Sequence, residues 1–182
     1  MTHRKTTEAS RDDWQTPPHI SRPLIERFKF TGDCAASAVN TVAPQWIDEE
    51  RDSLLSSWSS LGDSVFCNPP YSKVGFFIKR ARKEAEANRR LVACLVPATP
   101  GNLWFHHSAM THAREIWFYR GRISFLSPVD GEPMPANPVG SVLVVFNGAQ
   151  AFSGPRIGSL CAKSGLPVHE ADQWYWRHPC WL

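Results

Sequence analysis

The segment Ser64-Val-Phe-Cys-Asn-Pro-Pro-Tyr71 is the most informative part of the sequence for the fold class. Its first four residues are typical of a short buried strand, and the two prolines end that strand because neither has a backbone N–H to donate. An amphipathic helix of about four turns is predicted next, since apolar residues recur at helical spacing at Phe76, Phe77, Ile78, Ala81 and Ala85. The continuous apolar run 91–96, closed by Pro97, is typical of a strand covered on both faces. Strand, helix and strand in succession indicate an α/β protein.

The N-terminal part of the chain predicts one helix and one strand. Apolar residues between Ile20 and Phe28 are spaced for one face of a short helix, with Pro17 and Pro18 in its first turn and Thr16 as its N-cap. The alternating run 28–33 predicts a strand. Residues 38–63 have weak periodicity, so we expect them to be irregular with short elements.

The second half of the chain predicts one more helix, over 102–113, and two more strands, over 115–119 and 141–146. The proline- and glycine-rich loop 127–140 between these strands is too long to be a simple connection. Residues 147–182 have no clear pattern apart from three tryptophans, Trp174, Trp176 and Trp181. We expect this tail to dock on the domain rather than to stack on bases, because exposed tryptophans promote aggregation.

Composition narrows the class of protein. A chain of 182 residues, 42% hydrophobic and 20% charged, is typical of one globular domain. No apolar run approaches the ~20 residues that span a bilayer, and the polar N-terminus does not resemble a signal peptide. Five cysteines without a C-x-x-C pair argue against a zinc site or a disulfide framework and favour reduced thiols in a cytosolic protein. The net charge of +3 permits a polyanionic partner without requiring one.

The tetrapeptide Asn68-Pro-Pro-Tyr71 is the candidate centre of chemistry, because open α/β sheets bind ligands at the carboxyl ends of their strands. The prolines fix the backbone and offer only acceptors. The side-chain oxygen of Asn68 and the carbonyl of Pro69 could therefore hold both hydrogens of an exocyclic amine, while Tyr71 offers a flat face for a planar group. The alternative is a stiff turn in which Tyr71 covers a hydrophobic edge.

Several motifs in order resemble the small phage and prophage DNA adenine-N6 methyltransferases, which use S-adenosylmethionine. The resemblance covers about Asp13 to Phe146. Its pieces are Asp13-Trp-Gln-Thr-Pro17, Gly32-Asp-Cys-Ala-Ala-Ser37, Asp52-Ser-Leu54 with Trp58, Cys67-Asn-Pro-Pro-Tyr71, Trp104-Phe-His106 and Glu115-Ile-x-Phe-x-Arg-Gly-Arg-Ile-x-Phe125. It implies a Rossmann-like α/β methyltransferase fold, with a mostly parallel central sheet flanked by helices. It also implies a catalytic motif made of Asn68, Pro69, Pro70 and Tyr71.

The resemblance also implies a cofactor site. Trp14, Thr16 and Pro17 resemble the N-terminal segment that closes over the methionine end of the cofactor, and a helix N-terminus there offers backbone donors to its carboxylate. Asp33 resembles the acid that faces the cofactor's amino group, and Ala35 allows close approach of the backbone. The wider methyltransferase pattern has a glycine-rich loop at this place, whereas this chain has only Gly32, before the acid.

The adenosine side of the cofactor is assigned to Asp52, with Asp48 as its rival; a solvated loop acid is the alternative interpretation of each. Contacts with DNA are assigned to Lys73, Arg120 and Arg122, because the long loop beside the two arginines has the length and position of a target-recognition element. The basic residues between Lys79 and Arg90 are better explained as a solvated helix face. Trp104 and Phe105 are expected to pack in the core rather than fill the gap left by an extruded base.

The resulting hypothesis is a site-specific adenine-N6 methyltransferase acting on double-stranded DNA in the cytoplasm of a bacterial host, with no membrane partner and a monomer favoured over a dimer. No metal is expected, because the spacing of His106, His107 and His112 does not place three ligands on one helical face. The chain is divided into a disordered arm (1–12), a methyltransferase domain (13–150) and a Trp-rich extension packed on it (151–182).

Two alternatives to this hypothesis stay open from the sequence. One is a methyltransferase that acts on a protein glutamine or on RNA, because a side-chain amide presents the same planar NH₂ group. The other is an inactive, DNA-binding relative that has kept the fold, an interpretation supported by the missing glycine-rich loop.

Overall fold

The computed structural model describes residues 11–135, 137–149 and 153–177. Its α-helices are α1 (Pro18–Phe28), α2 (Val74–Asn88) and α3 (Glu170–Arg177). Its strands are β1 (Gly32–Asp33), β2 (Gln45–Trp46), β3 (Ser64–Cys67), β4 (Leu91–Pro97), β5 (Glu115–Arg120), β6 (Ser141–Asn147) and β7 (Arg156–Cys161). Short 3₁₀ turns occupy Arg11–Asp13, Ser59–Leu61 and Tyr71–Lys73, and Phe105–Met110 is π-helical.

These strands form one mixed sheet in the order β2-β1-β3-β4-β6-β5-β7. Only β6 runs against its neighbours in the described sheet: it pairs antiparallel with β4 and β5, while the other four pairings are parallel. The carboxyl ends of the remaining six strands therefore lie at one edge. The predicted α/β class, with a mostly parallel sheet flanked by helices, is confirmed.

The sheet is covered on both faces, which explains the continuous apolar sequence of β4. Alternate residues of β4 enter two separate cores: Val92, Cys94 and Val96 face α2 and the π-helix, whereas Leu91, Ala93 and Leu95 face α1 and α3. Every residue of β4 is buried, and the strand lies between β3 and β6. The predictions of β3, α2 and β4 are thus confirmed, as are the predicted strands that correspond to β5 and β6.

Two predictions near the N-terminus are wrong. The N-cap of α1 is Pro17, whose carbonyl accepts the N–H groups of Ile20 and Ser21, and Thr16 makes no cap. The predicted strand 28–33 shrinks to Gly32–Asp33, because α1 runs to Phe28 and ends at Lys29 in the left-handed conformation (φ 50°). Phe28 and Phe30 alternate because both rings are buried and stack at 5.6 Å, not because the backbone is extended.

The C-terminal part contributes elements that the sequence analysis did not predict. β7 forms the edge of the sheet beside β5, and α3 follows it. Tyr175 and Trp176 of α3 are buried, whereas Trp174 is 65% exposed. Trp181 and residues 1–10 of the predicted arm lie outside the described residues. The division of the chain at residues 12 and 150 stays a prediction.

A buried ion pair joins α1, β5 and α3. Nη2 of Arg27 donates to both carboxylate oxygens of Glu115 at 2.9 Å, and Nη1 donates to the carbonyl of Trp176 at 2.6 Å. The guanidinium lies 4.2 Å from the centre of the Trp176 ring, and the Tyr175 hydroxyl donates to Glu115 at 3.1 Å. These contacts explain why the C-terminal helix packs against the domain.

Candidate active site

A cavity of about 650 Å³ opens at the carboxyl ends of β1, β2 and β3. This volume is in the range of ligand sites that enclose a drug-sized molecule. The segment that precedes α1 forms one wall of it. Nine of the residues predicted for the site, counting the rival Asp48, line this cavity: Trp14, Thr16, Asp33, Ala35, Asp48, Asp52, Asn68, Pro70 and Lys73.

The side chain of Asn68 is held by the N-terminal segment. Its Nδ2 donates to the carbonyl of Trp14 and to Oγ1 of Thr16, each at 3.2 Å. Because a carbonyl can only accept, the amide nitrogen must face Trp14, and the orientation of the amide is fixed. In the part of the chain that the structure describes, Oδ1 of Asn68 has no hydrogen-bond donor. This oxygen is therefore available to a ligand in the cavity.

The turn after Asn68 is short and tightly bonded. Pro69 is buried, Pro70 lines the cavity, and the carbonyl of Pro70 accepts the N–H of Lys73 at 3.0 Å. Asp12 accepts the N–H and the hydroxyl of Ser72 at 3.0 and 2.6 Å. Sequence reasoning missed Asp12 because it belongs to the segment predicted as a disordered arm.

Tyr71 lies beside the cavity rather than in its lining. Its ring meets Phe125 edge-on at 6.2 Å and Trp14 at 6.4 Å. Its hydroxyl accepts Nδ2 of Asn137 at 3.1 Å, and Asn137 is buried. Asn137 was not singled out from the sequence, since it lies 66 residues away in the long loop and no local pattern connects it to Tyr71.

Asp33 carries a buried carboxyl group at the end of β1. Its two oxygens accept the backbone N–H groups of Ala35 and Val42, each at 3.2 Å. Burial raises the pKa of Asp33 to about 7, although the two hydrogen bonds act in the opposite direction. No cation pairs with this carboxyl group among the described residues. Such an uncompensated acid in a cavity wall is suited to a cationic group of a ligand.

Gly32 is explained by packing between β1 and the loop that precedes β3. A Cβ atom at this position would lie 2.4 Å from Cβ of Leu61 and 2.5 Å from its carbonyl oxygen. The lone glycine of the predicted cofactor loop is therefore required by the close approach of two segments of this chain.

The two acids considered for the adenosine side differ in their partners. Asp48 is engaged by Arg51, whose Nε donates to Oδ1 at 3.1 Å and whose Nη2 donates to Oδ2 at 3.4 Å. These bonds lower the pKa of Asp48. Asp52 has a left-handed backbone (φ 47°) and uses Oδ1 to accept the N–H of Leu54 at 2.9 Å. Among the described residues, Oδ2 of Asp52 has no hydrogen-bond donor.

Besides Pro69 and Tyr71, three of the predicted site residues do not line the cavity. Pro17 is buried as the N-cap of α1. Arg120 and Arg122 are exposed where β5 ends, at the same edge of the sheet as the cavity. Nη1 of Arg122 lies 3.0 Å from the place where a Cβ of Gly140 would be, so it covers the start of β6.

The long loop is joined to the wall of the cavity. Gln15 and Leu126 exchange two backbone hydrogen bonds, of 3.0 and 2.9 Å, and Pro128 lines the cavity. The loop that was predicted to recognise a target therefore begins next to the segment that holds Asn68.

Neither a metal site nor a membrane span is found in the described ranges. Among those residues, no group of three or more histidines, cysteines or acids is arranged to hold a metal ion. Nε2 of His112 lies 2.9 Å from Nη1 of Arg82. No helix within 11–135, 137–149 or 153–177 has both the length and the apolar character needed to cross a bilayer.

Comparisons with known proteins show the family to which this chain belongs. The family model described as DNA N-6-adenine-methyltransferase (Dam) matches residues 3–175. A DNA N-6-adenine-methyltransferase of Escherichia phage T1 is 30% identical over 156 residues, which cover 78% of this chain and 65% of that protein. One of Haemophilus phage HP1 (strain HP1c1) is 27% identical over 175 residues, covering 95% and 96%. Since the family match extends over nearly the whole chain, this protein belongs to the DNA N-6-adenine-methyltransferase (Dam) family.

Proposed function

We propose that this protein transfers a methyl group from S-adenosylmethionine to the exocyclic amine of adenine in double-stranded DNA. The observation that carries the proposal is the fixed amide of Asn68. Its nitrogen is held by Trp14 and Thr16, so that its oxygen stays available at the carboxyl end of a parallel strand. Membership of the Dam family, which is named for adenine methylation, supports the same chemistry.

The sheet supports a Rossmann-like methyltransferase fold. The parallel pairing of β2, β1 and β3 places the loops after these strands side by side, where a nucleotide-like ligand would lie. Helices on both faces leave that edge as the open side of the sheet.

The residues around the cavity fit S-adenosylmethionine, which when bound supplies an electrophilic methyl group. Asp33 would pair its carboxylate with the amino group of the cofactor, because it is a buried acid with no cation beside it in the described chain. The small side chain of Ala35 would allow the cofactor to approach the backbone closely. Trp14, Thr16 and Pro17 would close over the methionine end of the cofactor. Asp52 is the choice for the adenosine side, since the oxygens of its rival Asp48 are engaged by Arg51.

Asn68 and Pro69 would prepare the amine for attack. Oδ1 of Asn68 and the carbonyl of Pro69 accept its two hydrogens and draw the nitrogen toward tetrahedral geometry, which frees its lone pair. The amine becomes acidic as its new bond forms, so a weak proton acceptor is sufficient. Pro70 keeps the turn rigid, and Tyr71 would lie against the base, with its hydroxyl oriented by Asn137.

DNA would cover the edge at which the strands end. Lys73 stands at the wall of the cavity, and Arg120 and Arg122 stand where the long loop begins. An adenine inside a duplex has to leave the base stack to reach Asn68, at a cost of a few kcal/mol. Both relatives are phage proteins, which supports a phage or prophage enzyme. We propose that it acts in the cytoplasm of its host, as a monomer.

The direct test is transfer of tritiated methyl groups from S-adenosylmethionine to unmethylated DNA, followed by nucleoside analysis. We expect labelled N6-methyl-2′-deoxyadenosine from the wild-type chain and at least a ~1,000-fold loss for Asn68→Ala, because the acceptor that prepares the amine is gone. Cofactor affinity of this variant should stay within about threefold of wild type. Asn88→Ala is the control, since Asn88 is exposed at the end of α2.

Each other outcome has a definite meaning. If the chain binds the cofactor but transfers no label to DNA, its substrate would be a protein glutamine or RNA instead. Absence of cofactor binding would make this chain an inactive member of its family. Loss of cofactor binding in Asn68→Ala would show that the motif only holds the fold of the site.

A further inference from the structure

Two large apolar side chains are exposed beside the candidate catalytic turn. Phe76, in the first turn of α2, is 69% exposed, and Leu103, just before the π-helix, is 73% exposed. Their chain neighbours lie close together, because a Cβ added to Gly75 would lie 3.7 Å from Cβ of Trp104. Phe76 and Leu103 are thus exposed next to two residues that lie close together, and we call this pair the apolar rim.

The apolar rim adjoins the cavity. The cavity is lined by Lys73, just before α2, and by Phe77, in the first turns of α2. Phe76 is the residue next to Phe77. Leu103 follows the loop after β4, the strand that pairs with β3 and its Asn68 turn. Both rim residues thus stand at the sheet edge that DNA would cover.

The charge around the apolar rim favours a polyanion over a protein surface. Neither the stretch 64–83 nor the stretch 91–114 contains an aspartate or a glutamate. Lys73 and Lys79 are exposed on this side, and no ion pair engages either of them within the described chain. Asp12 also reaches this side, where both of its carboxylate oxygens accept hydrogen bonds from Ser72. Exposed apolar groups flanked by exposed lysines match a duplex, whose phosphates attract the cations and whose stacked bases accept apolar side chains.

We propose that Phe76 and Leu103 form a wedge that contacts the base pairs beside the target adenine and supports the stack when that adenine is extruded. This inference rests on the proposed function. Trp104 and Phe105 do not supply the wedge, because Trp104 is half-buried against the core and Phe105 is only 3% exposed. Lys79 contacts a backbone phosphate next to the wedge.

The test separates extrusion of the base from methyl transfer. The methylated sequence is first read from DNA modified by the wild-type chain. Two duplexes are then compared, one with the target adenine paired and one with it opposite an abasic site, where no base pair has to be broken. For the double variant F76A/L103A we expect methyl transfer to the paired adenine to fall at least about tenfold, and transfer to the unpaired adenine to stay within about twofold of wild type.

Ile157→Ala is the matched control. Ile157 is also exposed (56%), but it lies at the start of β7, at the opposite edge of the sheet. This variant should methylate both duplexes like wild type. Equal losses of the double variant on both duplexes, or no loss on either, would overturn the wedge. Failure of the wild-type chain to methylate any adenine would instead contradict the proposed function.

Discussion

Asp33 places a carboxyl group where folding removes most of its water. Its pKa is raised by burial from an ordinary value of 3.8 to about 7, so the folded chain binds more protons than the unfolded chain between these two values. The contribution of Asp33 to the free energy of unfolding is therefore largest below pH 3.8, and this contribution is lost as the pH rises through about 7. The loss is about 4 kcal/mol in total.

The effect of Asp33→Asn on the free energy of unfolding should have opposite signs at pH 5 and at pH 8. At pH 8 the variant avoids the buried charge, and we expect a gain of about 2 kcal/mol in the free energy of unfolding. At pH 5 it should be less stable by about 1 kcal/mol, because the amide NH₂ cannot accept the N–H of Ala35 or Val42. Urea unfolding at both pH values measures the difference, with Glu50→Gln as control because Glu50 is exposed and does not line the cavity. A difference that does not change with pH would contradict the assignment of this carboxyl group.

The same substitution tests the proposed role of Asp33 toward the cofactor. A cationic amino group stabilises the ionised carboxylate, so wild-type affinity for S-adenosylmethionine should rise as the pH rises through about 7. Asp33→Asn should bind at least about tenfold more weakly at pH 8, and its affinity should lose this pH dependence. Calorimetric titration of the cofactor measures both effects. A variant that is more stable yet binds less well would show that the acid is kept for its function.

At the scale of elements, β1 depends on the absence of a side chain at its first residue. Gly32→Ala would place Cβ at 2.4 Å from Cβ of Leu61, so either β1 or the turn before β3 has to move. We expect a loss of about 2 kcal/mol in the free energy of unfolding, typical of overpacking in a rigid contact. Cofactor affinity should fall as well, since Asp33 is the next residue. Gly101→Ala is the control, because nothing lies within 4 Å of its added Cβ; equal stability of both variants would contradict this packing.

The elements that the sequence predicted are those whose signal is local. Periodicity and the prolines at strand ends predict β3, α2 and β4. These elements also position Asn68. The contacts that complete the site join distant segments: Thr16 meets Asn68 across 52 residues, and Asn137 meets Tyr71 across 66. Such pairings follow from strand order, which no local pattern contains. β7 was missed for the same reason, because its short sequence becomes a strand only beside β5.

At the scale of the whole molecule, the pair Arg27–Glu115 ties the first helix, the sheet and the last helix together. Both side chains are buried, with exposures of 1% and 0%. Removing one partner of such a pair leaves a buried charge uncompensated and costs about 3–5 kcal/mol. Arg27→Met should therefore destabilise the fold by about 3 kcal/mol near neutral pH, measured by urea unfolding.

The pH dependence of this variant distinguishes a lost ion pair from lost packing. Burial already raises the pKa of Glu115 while Arg27 opposes the shift, so removing the arginine raises that pKa further. The folded variant then binds a proton that the unfolded chain has released, and its stability falls as the pH rises above the ordinary carboxyl range. Arg82→Met is the control, because Arg82 pairs with the half-exposed Glu86 and should cost no more than about 0.5 kcal/mol. A loss for Arg27→Met that is the same at pH 5 and pH 8 would mean that the guanidinium serves α3 through ring packing alone.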